Sequence, residues 1–186
     1  MKYKLLVVGT MAYDAIETPF GKVDKILGGA ATYIGLAASS FSIDCGLVSV
    51  VGEDFEKEHL ALLKDKGIDV SGVEIVPGGE TFFWSGRYHN DLNTRTTLDT
   101  RLNVLENFDP KIPDHLSTPD IVMLGNLSPD VQLAALAQIK NKPKLVVLDT
   151  MNFWMDHARE PLNKVIAKVD VISINDEEAR QLTDQY

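Results

Sequence analysis

One cysteine stands among 186 residues, so no internal disulfide forms and the chain suits a reducing, cytoplasmic compartment. Cys45 lies in the apolar stretch CGLVSVVG, which marks it as a small buried hydrophobe rather than a nucleophile. No apolar run approaches a membrane span. The start, MKYKLLVVGTMAYD, sets lysines before apolar residues, but the run is short and Asp14 follows at once, so KLLVVG reads as a buried strand rather than a secretory signal. Basic clusters are missing too, and a net charge of −9 argues against nucleic acid or an anionic membrane as partner. His59, His89, His115 and His157 show no metal-ligand spacing, which sets zinc aside. There is no Walker-type phosphate loop, no G-x-G-x-x-G after a strand and no Gly-x-Ser-x-Gly elbow. After Gly125 there is no glycine at all. No repeat, low-complexity stretch or Pro/Gly/Ser linker divides the chain, whose length suits one domain with a core of its own.

What is present alternates. KLLVVG (4–9), CGLVSVVG (45–52), DIVMLGNL (120–127), KLVVLDT (144–150) and DVISIN (170–175) are near-continuous apolar strands. Between them lie helical patterns at about 30–41 (Ile34, Ala37, Ala38 and Phe41 at helical spacing), 54–67 (Asp54 as cap, Gly67 as stop), 128–141 (Ser128 as cap, Pro129 at the first position) and 156–168. Strands of this kind alternating with helices predict a mostly parallel sheet covered on both faces, a three-layer α/β/α fold.

Residues 73–100 break the rhythm. TFFWSGRY (81–88) and TRTTLDT (94–100) are rich in β-branched and aromatic residues, and turn formers separate them. They predict an antiparallel β flap standing off the main sheet, a lid, to which a strand from about 17–27 is added. Alternation sets Phe82, Trp84 and Tyr88 on one side and Phe83, Ser85 and Arg87 on the other. One side is expected to face a pocket and the other to meet a second copy, giving a homodimer through the lid.

The stretch LGGAATYIGLAASS (27–40) places Gly28 and Gly29 at the mouth of a helix, where bare backbone admits a polar ligand or simply close packing. Parallel sheets bind ligands at the carboxyl ends of their strands. Here those ends carry Asp14, Asn126, Asp149 with Asn152, and Asn175 with Glu177 and Glu178. Such an acidic edge suits hydroxyls and a divalent cation better than bare phosphate. Asn175 and Glu178 also have the spacing of a helix capping box, which by itself requires no ligand.

Taken in order, the Asp after the first strand, GGAAT opening a helix, GLVSVVGEDF, the flap and the Asn-x-x-Glu of 175–178 resemble the PfkB/ribokinase family of carbohydrate kinases over essentially the whole chain. The resemblance implies a ribokinase-like fold and ATP-dependent phosphorylation of a sugar or polyol hydroxyl. Asp14 and the Gly28–Gly29 backbone would face the acceptor, with Thr32, Tyr33, Arg87 and Asn126 in the substrate-binding set. Asn175 and Glu178 would organise a magnesium–phosphate unit indirectly. Two departures stand out. Tyr33 occupies the place where the family's first signature carries Asn. The family's Gly-Ala-Gly-Asp segment, which supplies the catalytic base and the anion-binding amides, has no counterpart up to Tyr186, so no catalytic residue is assigned within the chain. The expectation is the amino-terminal part of a longer kinase, inactive alone. The alternatives are a nucleoside kinase of the same fold and a non-catalytic sugar-binding or interaction protein on that scaffold.

Overall fold

The computed structural model describes residues 4–92 and 94–185. In chain order the elements begin with β1 (Lys4–Val8), β2 (Ala12–Thr18), β3 (Gly21–Gly28), α1 (Ala30–Ser39), β4 (Asp44–Gly52) and α2 (Lys57–Asp65). They continue with β5 (Asp69–Val76), β6 (Phe83–Tyr88), β7 (Arg95–Arg101), β8 (Ile121–Leu124) and α3 (Pro129–Leu136). The last are β9 (Leu145–Asp149), α4 (Asn152–His157), α5 (Arg159–Ile166), β10 (Val171–Ser173) and α6 (Asp176–Thr183).

Six strands form an all-parallel sheet in the order β10-β9-β8-β1-β4-β5. Period-2 alternation splits its side chains between two cores. Leu6 and Val8 of β1 and Val48 and Val50 of β4 join Ala135, Leu162 and Val165 of α3 and α5 on one face. Leu5, Val7, Cys45 and Leu47 join Ala31, Ala38 and Leu63 of α1 and α2 on the other. Both faces are therefore covered, which is why the strands carry almost unbroken apolar runs. Cys45 is buried and its thiol is pushed up to about 12 by that burial, as befits a core hydrophobe.

A second sheet, in the order β3-β2-β6-β7, is the lid. It consists of two antiparallel hairpins, β2–β3 and β6–β7, joined by a parallel β2–β6 pair. The hairpins leave the body after β1 and after β5, at the carboxyl ends of those strands. The lid thus overhangs the edge where such folds bind ligands.

Several local expectations need correction. Residues 73–76 belong not to the flap but to β5, which pairs with β4 at the sheet edge. Half-exposed, with Gly72 interrupting it, β5 lacks the apolar run that marks the other body strands. The lid takes 12–28 and 83–101, so Asp14 sits inside a lid strand rather than at the end of β1. Helix α1 buries its small residues Ala31, Thr32, Gly35 and Ala38, and Phe41 lies exposed beyond its end, because close approach to β4 leaves no room for a larger face. Asp54 does not cap α2: Glu56 holds that position, and the Asp54 carboxylate instead accepts from Thr81. The helix expected at 156–168 is two helices, α4 and α5, meeting at Ala158. Ser128 caps α3 with Pro129 at its first position, as expected.

Candidate functional site

From β1 the chain moves outward to β4 and β5, then returns to place β8 on the other side of β1. This reversal makes the carboxyl ends of β1 and β8 the topological switch point, the usual crevice for a ligand. A side chain at Gly125, just after β8, would meet Ala30 of α1 and the Gly9 backbone just after β1, so small residues let α1 begin directly over the crevice.

The paired glycines have separate jobs. Gly29 caps α1 with φ +94, a conformation other residues rarely adopt, and a Cβ there would lie 2.4 Å from the Thr10 carbonyl oxygen. Thr10 also takes the first helical amides: Ala30 N–H donates to its hydroxyl and Ala31 N–H to its carbonyl. At Gly28 a Cβ would lie 2.3 Å from Asp14 Oδ2. The space beside both glycines is therefore filled by protein atoms. A side chain at either glycine would collide with Thr10 or the Asp14 carboxylate.

Asp14 pairs across the lid with Ile26 on β3 and Trp84 on β6, so these three share one face. The next row on that face is Ile16 with Val23 and Gly86. The Trp84 indole lies over Gly86, where a Cβ would meet its ring, and its Nε1 is 3.4 Å from Thr97 Oγ1. Asp14 and Trp84 thus stand in one row of this face, the carboxylate leaning toward Gly28 and the indole toward Gly86. Burial pushes the Asp14 carboxyl up to about 6, and among the described residues it has no hydrogen-bond or ion-pair partner. A buried carboxylate without a donor is costly to keep charged and readily accepts hydrogen bonds from a ligand's hydroxyls.

At the base of the lid, Thr81 is buried and bonded through three atoms. Its N–H and hydroxyl reach Asp54, its hydroxyl accepts from Gly52 N–H, and its carbonyl accepts from Asn103 Nδ2. Tyr13 Oη accepts from Glu56 N–H, while Lys25 lies over the Tyr13 ring and within 3.6 Å of Glu56. The acidic strand end of the GLVSVVGEDF motif therefore fastens the lid to the body.

The second half of the site lies at the ends of β8, β9 and β10. Asn175 and Glu178 form the capping box in full: Asn175 Oδ1 accepts from Glu178 N–H at 2.8 Å, and Glu178 Oε2 accepts from Asn175 N–H at 3.0 Å. Glu178 Oε1 is left over, 3.9 Å from the Arg95 guanidinium of the lid strand β7. Burial pushes Asp149 up to about 6, reinforced by the Glu178 charge and opposed by hydrogen bonds from the Asn126 and Thr150 amides.

The other expected site residues are placed differently. Arg87 pairs with Glu17 through Nε and Nη2, and strand alternation puts both on the lid face opposite Asp14. Thr32 is fully buried with its hydroxyl unbonded inside the body. Tyr33 is exposed, and its hydroxyl donates to the Leu27 carbonyl. Asn126 stays at the edge, but its Oδ1 accepts from Trp154 Nε1 and its Nδ2 meets Met151 Sδ. Trp84 and Arg95 were not among the expected site residues. Their places follow from strand register and from a lid–body contact, which local spacing does not encode.

No group of three or more metal-ligating side chains occurs among the described residues. The Glu178 oxygen that the cap leaves over, near Asp149, fits a magnesium ion held largely through water and a ligand's phosphates, and does not fit an all-protein cage.

The pfkB family carbohydrate kinase profile matches residues 2–186. A cytidine kinase of Thermococcus kodakarensis is 28% identical over 181 residues, 96% of this chain and 64% of that protein. The nucleoside kinase of Methanocaldococcus jannaschii, an archaeal ribokinase-family member, superposes with a TM-score of 0.74 at 20% identity, covering 99% of this chain and 65% of that one. A Burkholderia thailandensis nucleoside kinase solved with inosine gives 0.75 at 16%, covering 97% and 63%. The chain thus spans less than two-thirds of each of these relatives. With the profile covering nearly every residue, and the parallel sheet and lid in the arrangement of the ribokinase family, the chain belongs to the pfkB family of carbohydrate kinases.

Proposed function

We propose that the chain is the acceptor-binding part of an ATP-dependent kinase that phosphorylates a hydroxyl on a sugar ring, and that the acceptor is a nucleoside. The observation that carries this reading is the Asp14 carboxylate: half-buried, unpartnered and seated on one lid face with Trp84, Ile16 and Ile26. Hydroxyl donors to a buried carboxylate are worth about 1.5–3 kcal/mol each. A bare sugar would satisfy the acid but cover little of the surrounding apolar face. A nucleoside offers ribose hydroxyls to Asp14 and a flat base to the indole. The cytidine and nucleoside kinases similar to this chain support that choice over a free sugar.

In this reading the lid covers the acceptor and excludes water, and Asp14 orients the ribose. The Glu178 and Asp149 carboxylates accept hydrogen bonds from water at the phosphate-bearing edge. Magnesium, when bound, would neutralise charge on the donor phosphates. Glu178 Oε2 stays committed to the cap. No residue among these 186 is assigned as the catalytic base or as an anion-binding amide, and the 186 residues alone are expected to transfer no phosphate.

The test reads the coding frame past Tyr186 and assays the full-length protein with ATP, magnesium and a panel of nucleosides and free sugars. Turnover on nucleosides, lost in Asp14→Ala, is the expected result. Turnover on free sugars alone would return the acceptor to the sugar class. No turnover on any acceptor, with binding retained, would favour the non-catalytic reading.

A further inference from the structure

Two of the contacts between lid and body differ in character. The base of the lid is fixed by Thr81, Tyr13 and Lys25. Its outer hairpin reaches the body through Arg95, the first residue of β7, which pairs in register with Tyr88, the last of β6, next to the connecting turn. The Arg95 side chain is one-third exposed, and the Glu178 side chain it approaches is 7% exposed. Other cations near Glu178 are occupied: Arg180 pairs with Asp176, and Arg159 donates to the carbonyls of Gln181 and Leu182. Asp149 adds a second negative charge beside Glu178. Arg95 is thus a positive charge delivered by the lid to a doubly acidic, buried edge.

We propose that Arg95 is a positioning residue that fastens the lid hairpin to Glu178, so that closure over the acceptor and organisation of the phosphate-bearing edge become one event. The inference rests on the kinase reading for its purpose, but not for its existence. Because Glu178 Oε2 holds the helix cap and only Oε1 faces Arg95, closing the lid leaves the cap intact. Glu178 thereby serves both as a helix cap and as the receiver of the lid. An anionic phosphate group arriving at this edge would meet the Arg95 guanidinium beside the carboxylates.

The test is hydrogen exchange on the full-length protein without nucleotide, read in peptides covering 83–88 and 95–101. Arg95→Ala is expected to raise exchange in this hairpin about two- to fivefold, leaving β1, β4 and β8 unchanged. Glu178→Gln is the sharper variant, because glutamine still closes a capping box and only the charge is lost. It is expected to reproduce the same increase, and the double variant to exceed neither single one. Arg95→Lys should restore part of the protection, which separates a charge contact from a packing effect. Unchanged exchange in both single variants, or increases that add in the double variant, would overturn the latch. Exchange gives this answer whether or not the protein phosphorylates anything, so failure of the latch and failure of the kinase reading remain separate results.

Discussion

Strands β4 and β7 are built in opposite ways. Eight of the nine β4 residues are buried, whereas none of the seven in β7 is. β4 lies inside a sheet with helices on both faces, and its stability comes from apolar area removed from water. β7 is the outer strand of a single layer, held by backbone pairing with β6 and by polar contacts such as Trp84–Thr97 and Arg101–Asp99. The body can therefore open only by losing its core, while the lid can open locally at little cost. In the proposed reading the acceptor-facing Asp14 sits on the part that can move, and Asp149 and Glu178 sit on the part that cannot.

The largest contrast should appear in truncations. Leu6 is fully buried in the central strand of the body, and Leu98 is 45% exposed on the lid. Leu6→Ala should destabilise the protein by about 2–5 kcal/mol, through lost transfer energy and the cavity left behind. Leu98→Ala should stay within about 0.5 kcal/mol. Urea unfolding followed by circular dichroism measures both. Equal losses would mean that the lid is part of the cooperative core and that the comparison fails.

The body was legible in the sequence because burial on two faces writes itself as apolar runs: KLLVV, LVSVV and LVVLD each became a strand where expected. Strand β5 was not, because an edge strand exposed on one side reads like flap. In the lid, the aromatic composition of 83–88 was readable but the neighbours were not. Which residues stand beside Asp14 depends on the parallel β2–β6 register, a pairing between segments far apart in the chain. Arg87 was expected in the substrate-binding set, whereas Trp84 was placed only on one side of the flap. Strand parity then paired Arg87 with Glu17 and placed Trp84 beside the acid. The NDEE signal at 175–178 admitted a cap or a phosphate role. The cap is formed in full, and one carboxylate oxygen remains for anything further.

The adjacent glycines divide along the same line and sharpen the comparison. Gly29→Ala would force an unfavourable φ and drive a methyl group into the Thr10 carbonyl, backbone against backbone. A loss of about 1–3 kcal/mol is expected, together with loosening of the α1 start. Gly28→Ala meets only the Asp14 carboxylate, which can swing aside. Its stability should fall by less, while acceptor binding in the full-length protein weakens as Asp14 is displaced. Thermal unfolding and acceptor titration of the two variants separate these roles. An acceptor affinity untouched by Gly28→Ala would detach Asp14 from the site.

The smallest expected effect carries the most specific sign. Asp14 ionises at about 6 in the folded protein against 3.8 ordinarily, through burial. Between those values the folded state holds a proton that the unfolded chain has released. Its contribution to stability is therefore full below about pH 4 and is lost as pH rises through about 6. Above that, the lid carries a charged, partly desolvated carboxylate with nothing to offset it. The displacement alone would correspond to about 3 kcal/mol, and the carboxyl's remaining contact with water reduces this to about 1–2 kcal/mol. Asp14→Asn should accordingly be more stable than the parent by that amount at pH 8 and no more stable at pH 4, as measured by urea unfolding at both values. The same substitution should abolish acceptor binding, since only the charged acid accepts strongly from hydroxyls, and parental affinity should rise between pH 5 and 7 for the same reason. A gain in stability that did not depend on pH would place the effect in packing rather than charge, and Asp14 would no longer be an acid held in readiness for a ligand.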